Sequence, residues 1–201
     1  MGTERHLSHG VDTEELDAFA EHAAENPEDV QLGLSARSIY EGTCAHSLAT
    51  IDSYVLGNET IDRGTRAYTI PYGGWKEVLE AGGWVEATDR MEPIEVALSA
   101  LASCINVGIT INAVANGVDI DHLETRVRTE FDPSVLFSVE DLGNADTVFE
   151  NLTAEIEIES PDLDKDEVDE WARRAPVYNL VSLDQDVNLT VNTPAEVGAD
   201  D

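Results

Sequence analysis

Residues 93–117 read PIEVALSALASCINVGITINAVANG, and this stretch decides the fold. Apolar side chains lie on nearly every side of a helix drawn through it, and Pro93 stands at the helix start, where a missing amide proton costs nothing. Gly117 is the residue type expected just after a helix end, so the pattern predicts one long helix to about Asn116. In a soluble chain such a helix is usually a core helix. We therefore expect the rest of the chain, rather than a membrane, to surround it.

The segments on either side of this helix predict strands and two further helices. Residues 11–25 predict a short amphipathic helix that Asp12 or Thr13 caps. Residues 34–56 predict one long strand or a hairpin that turns at Glu41–Gly42. The other predicted elements are a strand at 65–72 that Pro71 ends, a loop at 73–92, strands at 122–132 and 148–159, a helix from Ser160 to Arg174 and a last strand at 186–192. This order indicates an α+β fold with antiparallel sheets.

The chain reads as one folded domain with two appendages. Residues 1–33 are predicted to form an N-terminal helical appendage, residues 34–193 the main domain and residues 194–201 a disordered tail. In the two strands after the long helix, alternate residues from Leu123 to Phe131 and from Leu152 to Ile158 are predicted to face inward.

The charge balance restricts the partners of the protein. The chain has 42 acidic and 11 basic residues, which gives a formal charge of −31. Nucleic acids and anionic membranes both bind to basic surfaces, so we exclude them as partners. Dense carboxylates with few lysines suit a cytoplasm at molar salt, where the Debye length is about 3 Å and self-repulsion is screened. We predict a salt-in halophile as the source; an ordinary acidic protein is the alternative.

Cysteine and histidine usage narrows the chemistry. Two cysteines, Cys44 and Cys104, are too few for a disulfide scaffold and favour a reducing compartment. Residues 1–10 lack the apolar segment of a signal peptide, so we expect a cytoplasmic protein. The histidines show no metal-ligand spacing, and no metal or bound cofactor is predicted. Cys104 is the candidate for any chemistry, although a cysteine in a helix also packs as a small hydrophobic residue. Cys44, predicted on the first strand, is expected to be such a packing residue.

Three segments, in chain order, resemble the OsmC/Ohr family. Residues 91–104, MEPIEVALSALASC, resemble the family's central helix, in which a proline starts the helix and a small residue precedes the peroxidatic cysteine. Residues 171–191, WARRAPVYNLVSLDQDVNLTV, resemble its Pro-Val segment and final strand. Residues 39–51, IYEGTCAHSLATI, resemble its first strand more weakly. The three segments together identify the chain as a member of this family.

The resemblance implies both an assembly and a reaction. It implies an intertwined homodimer, with antiparallel sheets wrapped around two long central helices and the cysteine sites at the interface. It also implies hydroperoxide reduction in oxidative-stress defence. The thiolate of Cys104 would attack the O–O bond and become a sulfenic acid, which an external thiol reductant would return to the thiol.

Two positions depart from the family pattern. A resolving cysteine, where family members have one, precedes the Pro-Val step, and this chain has Ala175 there. The family's catalytic glutamate directly follows the helix-starting proline, and Ile94 occupies that position. Glu95 is a candidate substitute one residue later, about 100° further around the helix. Its alternative role is a charge favoured by the helix dipole.

The remaining candidates are an arginine and the pocket walls. We choose Arg66 as the arginine that activates the thiolate, with Arg63 and Arg90 as alternatives. Tyr178 and Asn179 are candidates to line the pocket near the reactive thiol, or they form an ordinary turn.

The role of two tryptophans has two interpretations, and the chain has two candidate functions. Trp75 and Trp84 either wall an apolar pocket or anchor a loop. The first candidate function is a hydroperoxide reductase that uses Cys104 alone. The second is a catalytically lapsed dimer of the same fold that binds a small apolar or thiol-reactive ligand.

Overall fold

The computed structural model describes residues 7–161 and 163–192. The strands of this part of the chain are β1 (Leu7–Ser8), β2 (Val11–Asp12), β3 (Leu32–Gly33), β4 (Arg37–Tyr40), β5 (Ser47–Ile51), β6 (Tyr54–Leu56), β7 (Glu59–Ile61), β8 (Tyr68–Tyr72), β9 (His122–Phe131) and β10 (Phe149–Glu159). The α-helices are α1 (Thr13–Glu25), α2 (Lys76–Ala81), α3 (Pro93–Ala115), α4 (Lys165–Arg173) and α5 (Pro176–Ser182). Short 3-10 helices lie at Pro27–Val30, Gly64–Arg66 and Leu142–Thr147.

The predicted long helix is confirmed as α3. The side chain of Glu92 caps its N-terminus by accepting the Ile94 N–H, and Glu95 accepts the Glu92 N–H in return. This reciprocal capping box satisfies amide donors that a helix start otherwise leaves free. At the other end Asn116 is the C-cap, and Gly117 has a φ of +69° that ends the helix.

The core lies along one side of α3. Its buried residues come from α3, α4 and the start of α5, and they are Leu101, Ile105, Ile109, Ala113, Val168, Trp171, Ala172 and Ala175. From the other direction, β9 places the half-buried Leu123 and Val127 against this core. The central helix is therefore packed between a two-stranded sheet and a pair of shorter helices.

The chain does not enclose the whole of α3. Val107 is 52% exposed and Ile111 is 54% exposed, one turn apart on the same helix face. By length and composition alone α3 could cross a membrane. It nevertheless packs against β9, α4 and α5 as the core helix of the chain. The expectation that a second copy covers its open face stays a prediction.

The strands of the described residues form four antiparallel sheets, as the α+β prediction requires. Their orders are β1–β2, β3–β6–β7, β4–β5–β8 and β9–β10. The predicted hairpin within 34–56 is confirmed, because β4 pairs with β5 across a turn at residues 41–46. Cys44 was wrongly predicted on a strand. It lies exposed in this turn, where Gly42 and Ala45 both have positive φ.

The region before α3 differs from its prediction in three details. The strand expected at 65–72 begins only at Tyr68, because Gly64–Arg66 forms a 3-10 helix; Arg66 is therefore not on a strand. Pro71 does not end β8 but pairs with Leu48. A proline is tolerated there because β8 is the edge strand of its sheet. The loop expected at 73–92 contains α2.

Inward-facing residues were predicted well in β9 and only partly in β10. Alternate residues from Leu123 to Phe131 are half-buried, as expected. In β10 a bulge lies between Glu150 and Thr153, and Asn151 within it has a φ of +53°. The extra residue interrupts the alternation, and Leu152 is 45% exposed instead of facing inward. Ala154, also predicted to face inward, is exposed as well, whereas Ile156 and Ile158 are half-buried as expected.

Of the predictions for the helices near the two ends of the chain, some are confirmed and others are wrong. Helix α1 is confirmed, with Asp12 as its cap. The helix expected from Ser160 starts only at Lys165, because the Asp164 carboxylate caps it there. Helix α5 was not predicted.

The last predicted strand, at 186–192, is absent. Residues 184–192 have no assigned secondary structure, and Val187, Leu189 and Val191 are exposed. A strand exists only where a neighbouring strand pairs with it, and the described part of the chain offers none here. The predicted tail at 194–201 lies outside the described residues.

Candidate thiol site

Cys104 lies near the middle of α3, among the core residues. It is a free cysteine, half-buried, and it packs against the buried cluster that α3 shares with α4 and α5. Its neighbours on the helix, Leu101 and Ile105, are buried. The thiol is therefore held in an apolar setting and is still reached by solvent.

A backbone amide from α5 points at the sulfur. The N–H of Val177 donates a hydrogen bond to Sγ of Cys104, with 3.4 Å between nitrogen and sulfur. Val177 stands in the first turn of α5, where amides have no partner within the helix, and the N-cap residue Ala175 offers no side-chain acceptor. The sulfur thus takes the place of a capping oxygen. A thiolate accepts such a bond more strongly than a thiol does.

Ala175 occupies the position next to this contact. It is fully buried, and a Cβ added to Gly108 would lie 3.3 Å from the Ala175 Cβ and 3.1 Å from the Trp171 carbonyl oxygen. The absence of a side chain at Gly108 therefore allows α3 to pack closely against the α4–α5 connection of the same chain. Position 175 contacts α3 at Gly108, one helical turn after Cys104, and its side chain contains no thiol.

Tyr178 and Asn179 both lie on α5, and both are engaged in local contacts. The Tyr178 hydroxyl accepts a hydrogen bond from Arg173 at 2.7 Å, and the guanidinium of Arg173 lies 5.7 Å from the Tyr178 ring centroid. The amide of Asn179 donates to the carbonyl oxygens of Arg173 and Ala175. These bonds hold the turn between α4 and α5, and with it the position of the Val177 amide.

Glu95 has a structural partner at the start of α3. Its carboxylate accepts the Glu92 N–H at 3.0 Å and a hydrogen bond from the Trp75 side chain, and these two bonds, in that order, hold the pKa of Glu95 below its usual range. Burial raises the pKa of Glu92, against the opposing effect of the Ile94 amide. Within one chain, no hydrogen bond joins Glu95 to Cys104 among the described residues.

The three candidate arginines differ in the partners that their side chains already have. Arg90 forms an ion pair with Glu41 at 2.5 Å. Arg66 stacks on Tyr54, 4.7 Å from the ring centroid, and its buried Nε has no hydrogen-bond partner in the described part of the chain. Neither these two nor Arg63 is bonded to Cys104 in the single chain, over residues 7–161 and 163–192. Arg66, unlike Arg90, therefore keeps a donor without a partner among the described residues.

A family model described as OsmC-like protein matches residues 86–191, more than half of the chain. The match includes α3 with Cys104, the sheet of β9 and β10, and the α4–α5 connection. The chain belongs to the OsmC-like protein family. The resemblance of residues 91–104 and 171–191 to this family is thereby confirmed.

Solved structures that are similar to this OsmC-like chain share little sequence with it. An OsmC-like protein from Mycoplasma pneumoniae is 16% identical, with 74% of this chain and 86% of that chain covered and a TM-score of 0.48. The organic hydroperoxide resistance protein OhrB of Bacillus subtilis is 14% identical, with 74% and 89% covered and a TM-score of 0.40. No curated protein matches the chain.

A second notable site in this OsmC-like chain is an apolar cavity of about 650 Å³ away from Cys104. Trp75 and Trp84 do wall a cavity, together with Phe131 and Phe137, and Cys44 and Glu92 border it. Cys104 is not among its lining residues. The predicted aromatic wall is therefore present, but within one chain it does not surround the thiol.

Sequence reasoning missed three contributors to these sites. The Val177 amide carried no signal, because it is a backbone group on an unpredicted helix. The capping box of Glu92 and Glu95 was missed because its usual signature has Ser, Thr, Asp or Asn at the N-cap, where this chain has a glutamate. Phe131 was predicted correctly as inward-facing, but its place beside Trp75, with ring centroids 6.4 Å apart, depends on tertiary packing.

Proposed function

We propose that this OsmC-like protein is a cytoplasmic, homodimeric, thiol-dependent reductase of organic hydroperoxides that uses Cys104 as its only peroxidatic cysteine. The observation that carries the proposal is the Cys104 thiol, half-buried on the central helix within the family-matched segment, with an amide N–H directed at its sulfur. Family membership supports a peroxiredoxin-like role.

The reaction requires one protein thiol and two equivalents of an external thiol. The Cys104 thiolate attacks the terminal, hydrogen-bearing oxygen of ROOH, and the S–O bond forms as the O–O bond breaks. The sulfur becomes a sulfenic acid, and the departing alkoxide takes a proton from solvent to leave as the alcohol ROH. A first external thiol condenses with the sulfenic acid, releasing water and leaving a mixed disulfide. A second external thiol attacks that disulfide, which frees Cys104 and releases the oxidised reductant.

The dimer supplies what one chain lacks. Val107 and Ile111 leave an apolar strip of α3 open, and a second copy of α3 would cover it. The buried Nε of Arg66 has no hydrogen-bond partner among the described residues, and this cation, if placed beside the thiolate of the other copy, would stabilise that thiolate. The substrate is a small hydroperoxide; nucleic acids and membranes are not partners, because the formal charge is −31.

The test is peroxide consumption in molar KCl with an excess of a small dithiol. We expect turnover of an organic hydroperoxide by the wild-type protein, complete loss with Cys104→Ser and little change with Cys44→Ser. The Cys44→Ser variant is the matched control, because Cys44 is the other free cysteine and lies exposed in a turn. Equal turnover by wild type and Cys104→Ser, or no turnover by either, would refute the proposal.

One set of observations favours a second candidate function, a catalytically lapsed dimer that binds a small apolar or thiol-reactive ligand. Ala175 leaves no resolving thiol beside Cys104, Ile94 replaces the family glutamate, and Glu95 is engaged in the capping box. The rate of Cys104 alkylation against pH separates the two. Fast alkylation near neutral pH supports the reductase, whereas a thiol that reacts only at high pH supports the lapsed dimer.

A further inference from the structure

The Val177 backbone nitrogen lies against the sulfur of Cys104. The two atoms are 3.4 Å apart, in a half-buried contact between residues that are 73 positions apart in the sequence. Oxidation of Cys104 by a hydroperoxide places an electrophilic sulfur at this position, with a hydroxyl that can leave. The nitrogen that donates to the thiol in the reduced protein is therefore also in place to attack the oxidised sulfur.

The structure offers that sulfenic acid no thiol partner within residues 7–161 and 163–192. The chain has two cysteines, and the position beside the contact is the fully buried Ala175. Cys44 lies exposed in the turn between β4 and β5, and it borders the apolar cavity, which Cys104 does not line. A sulfenic acid without a thiol either condenses with a backbone nitrogen or is oxidised further to the irreversible sulfinic acid.

Val177 can give up its N–H at little cost to the fold. It stands in the first turn of α5, where an amide has no acceptor within the helix, and this N–H has no other hydrogen bond among the described residues. The helix bond to the Ala175 carbonyl oxygen comes from Asn179 instead. A bond at the Val177 nitrogen therefore breaks no hydrogen bond of α5. A short helix without fully buried residues can also shift by the distance that bond formation requires.

We propose that the sulfenic acid of Cys104 closes onto the Val177 nitrogen as a sulfenyl amide. The S–N bond forms, the S–OH bond breaks, and the amide proton leaves with the hydroxyl as water. The sulfur keeps its oxidation state in this condensation, so the one hydroperoxide molecule is the only oxidant. This step rests on the proposed function, because the hydroperoxide reaction supplies the sulfenic acid. The backbone nitrogen takes the part of the resolving thiol that Ala175 lacks.

The sulfenyl amide protects the sulfur and stays reducible. It has no S–O group to attack a second hydroperoxide, so the route to the sulfinic acid is closed. An external thiol attacks the sulfur, the S–N bond breaks, and the Val177 nitrogen takes back a proton as a mixed disulfide with Cys104 forms. A second external thiol then frees Cys104 and leaves in the oxidised reductant.

The first experiment uses Cys44→Ser, because a disulfide between the two cysteines would change the mass by the same amount as a sulfenyl amide. The full chain in molar KCl receives one equivalent of an organic hydroperoxide without any thiol, and its intact mass is measured. We expect a protein lighter by two hydrogen atoms, and a digest in which the Cys104 peptide is linked to the Val177 peptide. Excess dithiol should restore the original mass.

The outcomes separate this step from the reaction that precedes it. A sulfenic or sulfinic acid at Cys104, without the linked peptides, would overturn the sulfenyl amide and leave the hydroperoxide reaction standing. An unchanged mass would refute the proposed function, and the sulfenyl amide with it.

A variant at position 177 removes the attacking group. Val177→Pro has no N–H, and the first turn of a helix tolerates proline. Excess hydroperoxide should convert several-fold more of its Cys104 to the sulfinic acid. Val177→Ala keeps the N–H and is the matched control for the lost side chain, so its yield of sulfinic acid should stay at the wild-type level. Equal yields from the two variants would contradict the proposal. If Val177→Pro does not fold, the linked peptides of Cys44→Ser decide alone.

Discussion

Gly108 and Ala175 are in direct contact: a Cβ on Gly108 would lie 3.3 Å from the Cβ of Ala175. Gly108 follows Cys104 by one turn of α3, and Val177, two residues beyond Ala175, donates its N–H to the Cys104 sulfur. Position 175 thus lies beside the helix face that carries the Cys104 thiol. This is the position where the family resemblance expects a resolving cysteine.

Restoring that cysteine should restore resolution within the chain. In Ala175→Cys we expect one equivalent of hydroperoxide to give a disulfide between positions 104 and 175, because the attacking and resolving sulfurs would be neighbours. Non-reducing mass spectrometry of peptides detects the linkage. Ala175→Ser is the matched control and should form no disulfide. A folded Ala175→Cys protein whose two thiols stay unlinked after oxidation would contradict this placement.

Adding a methyl group at Gly108 should destabilise the protein. The new Cβ would lie 3.1 Å from the Trp171 carbonyl oxygen and 3.3 Å from Ala175, and overpacking of this kind costs about 1–3 kcal/mol. The gain in helix propensity, about 1 kcal/mol, offsets part of that cost. We expect a net loss of about 1 kcal/mol in the unfolding free energy of Gly108→Ala, measured with urea in molar KCl. Gly64→Ala, whose Cβ would meet nothing within 4 Å, is the control. A Gly108→Ala protein as stable as wild type would show that α4 and α5 can move away from α3.

The two glutamates at the start of α3 should affect acid stability in opposite directions. The folded state lowers the pKa of Glu95, so the stability that Glu95 contributes is present above the usual glutamate pKa and is lost as the pH falls through the lowered value. Wild type should therefore lose more stability than Glu95→Gln on acidification below about pH 4.5. For Glu92 the pKa is raised, so its ionisation on going up in pH opposes folding and Glu92→Gln removes that penalty. Urea midpoints measured from about pH 3 to pH 6 test both signs; parallel curves for all three proteins would contradict them.

Salt should stabilise the folded chain strongly. With a formal charge of −31 the carboxylates repel one another, and molar KCl reduces the Debye length to about 3 Å. We expect unfolding on dialysis to low salt and recovery in concentrated KCl, followed by circular dichroism. Sucrose at matched osmolality is the control, because it favours compact states without screening charge. A protein that is equally folded in dilute buffer and in molar KCl would end the halophile hypothesis.

Elements whose signals are local could be predicted from the sequence. The limits of α3 follow from Pro93 at one end and Gly117 at the other, and β9 follows from strict alternation. The bulge at Asn151 has no such signal, and it turned Leu152 outward. The strand expected at 186–192 depends on a neighbour to pair with, which composition cannot supply.

The thiol site was predictable only in its central residue. Cys104 was identified from its place in α3, but the donor to its sulfur belongs to α5, whose residues Pro176–Ser182 read as a turn before a strand. A side chain on one element can be found from that element's pattern. The contact that completes the site depends on how two elements pack, and this information is distributed over the whole core.

The open face of α3 has a consequence for the abundance of the protein. Val107 and Ile111 are half exposed, and if a second copy covers them, each molecule is stabilised by its encounters with others. The melting temperature would then rise with concentration. A cell that increased synthesis under stress would obtain more copies and, through mass action alone, copies that survive longer.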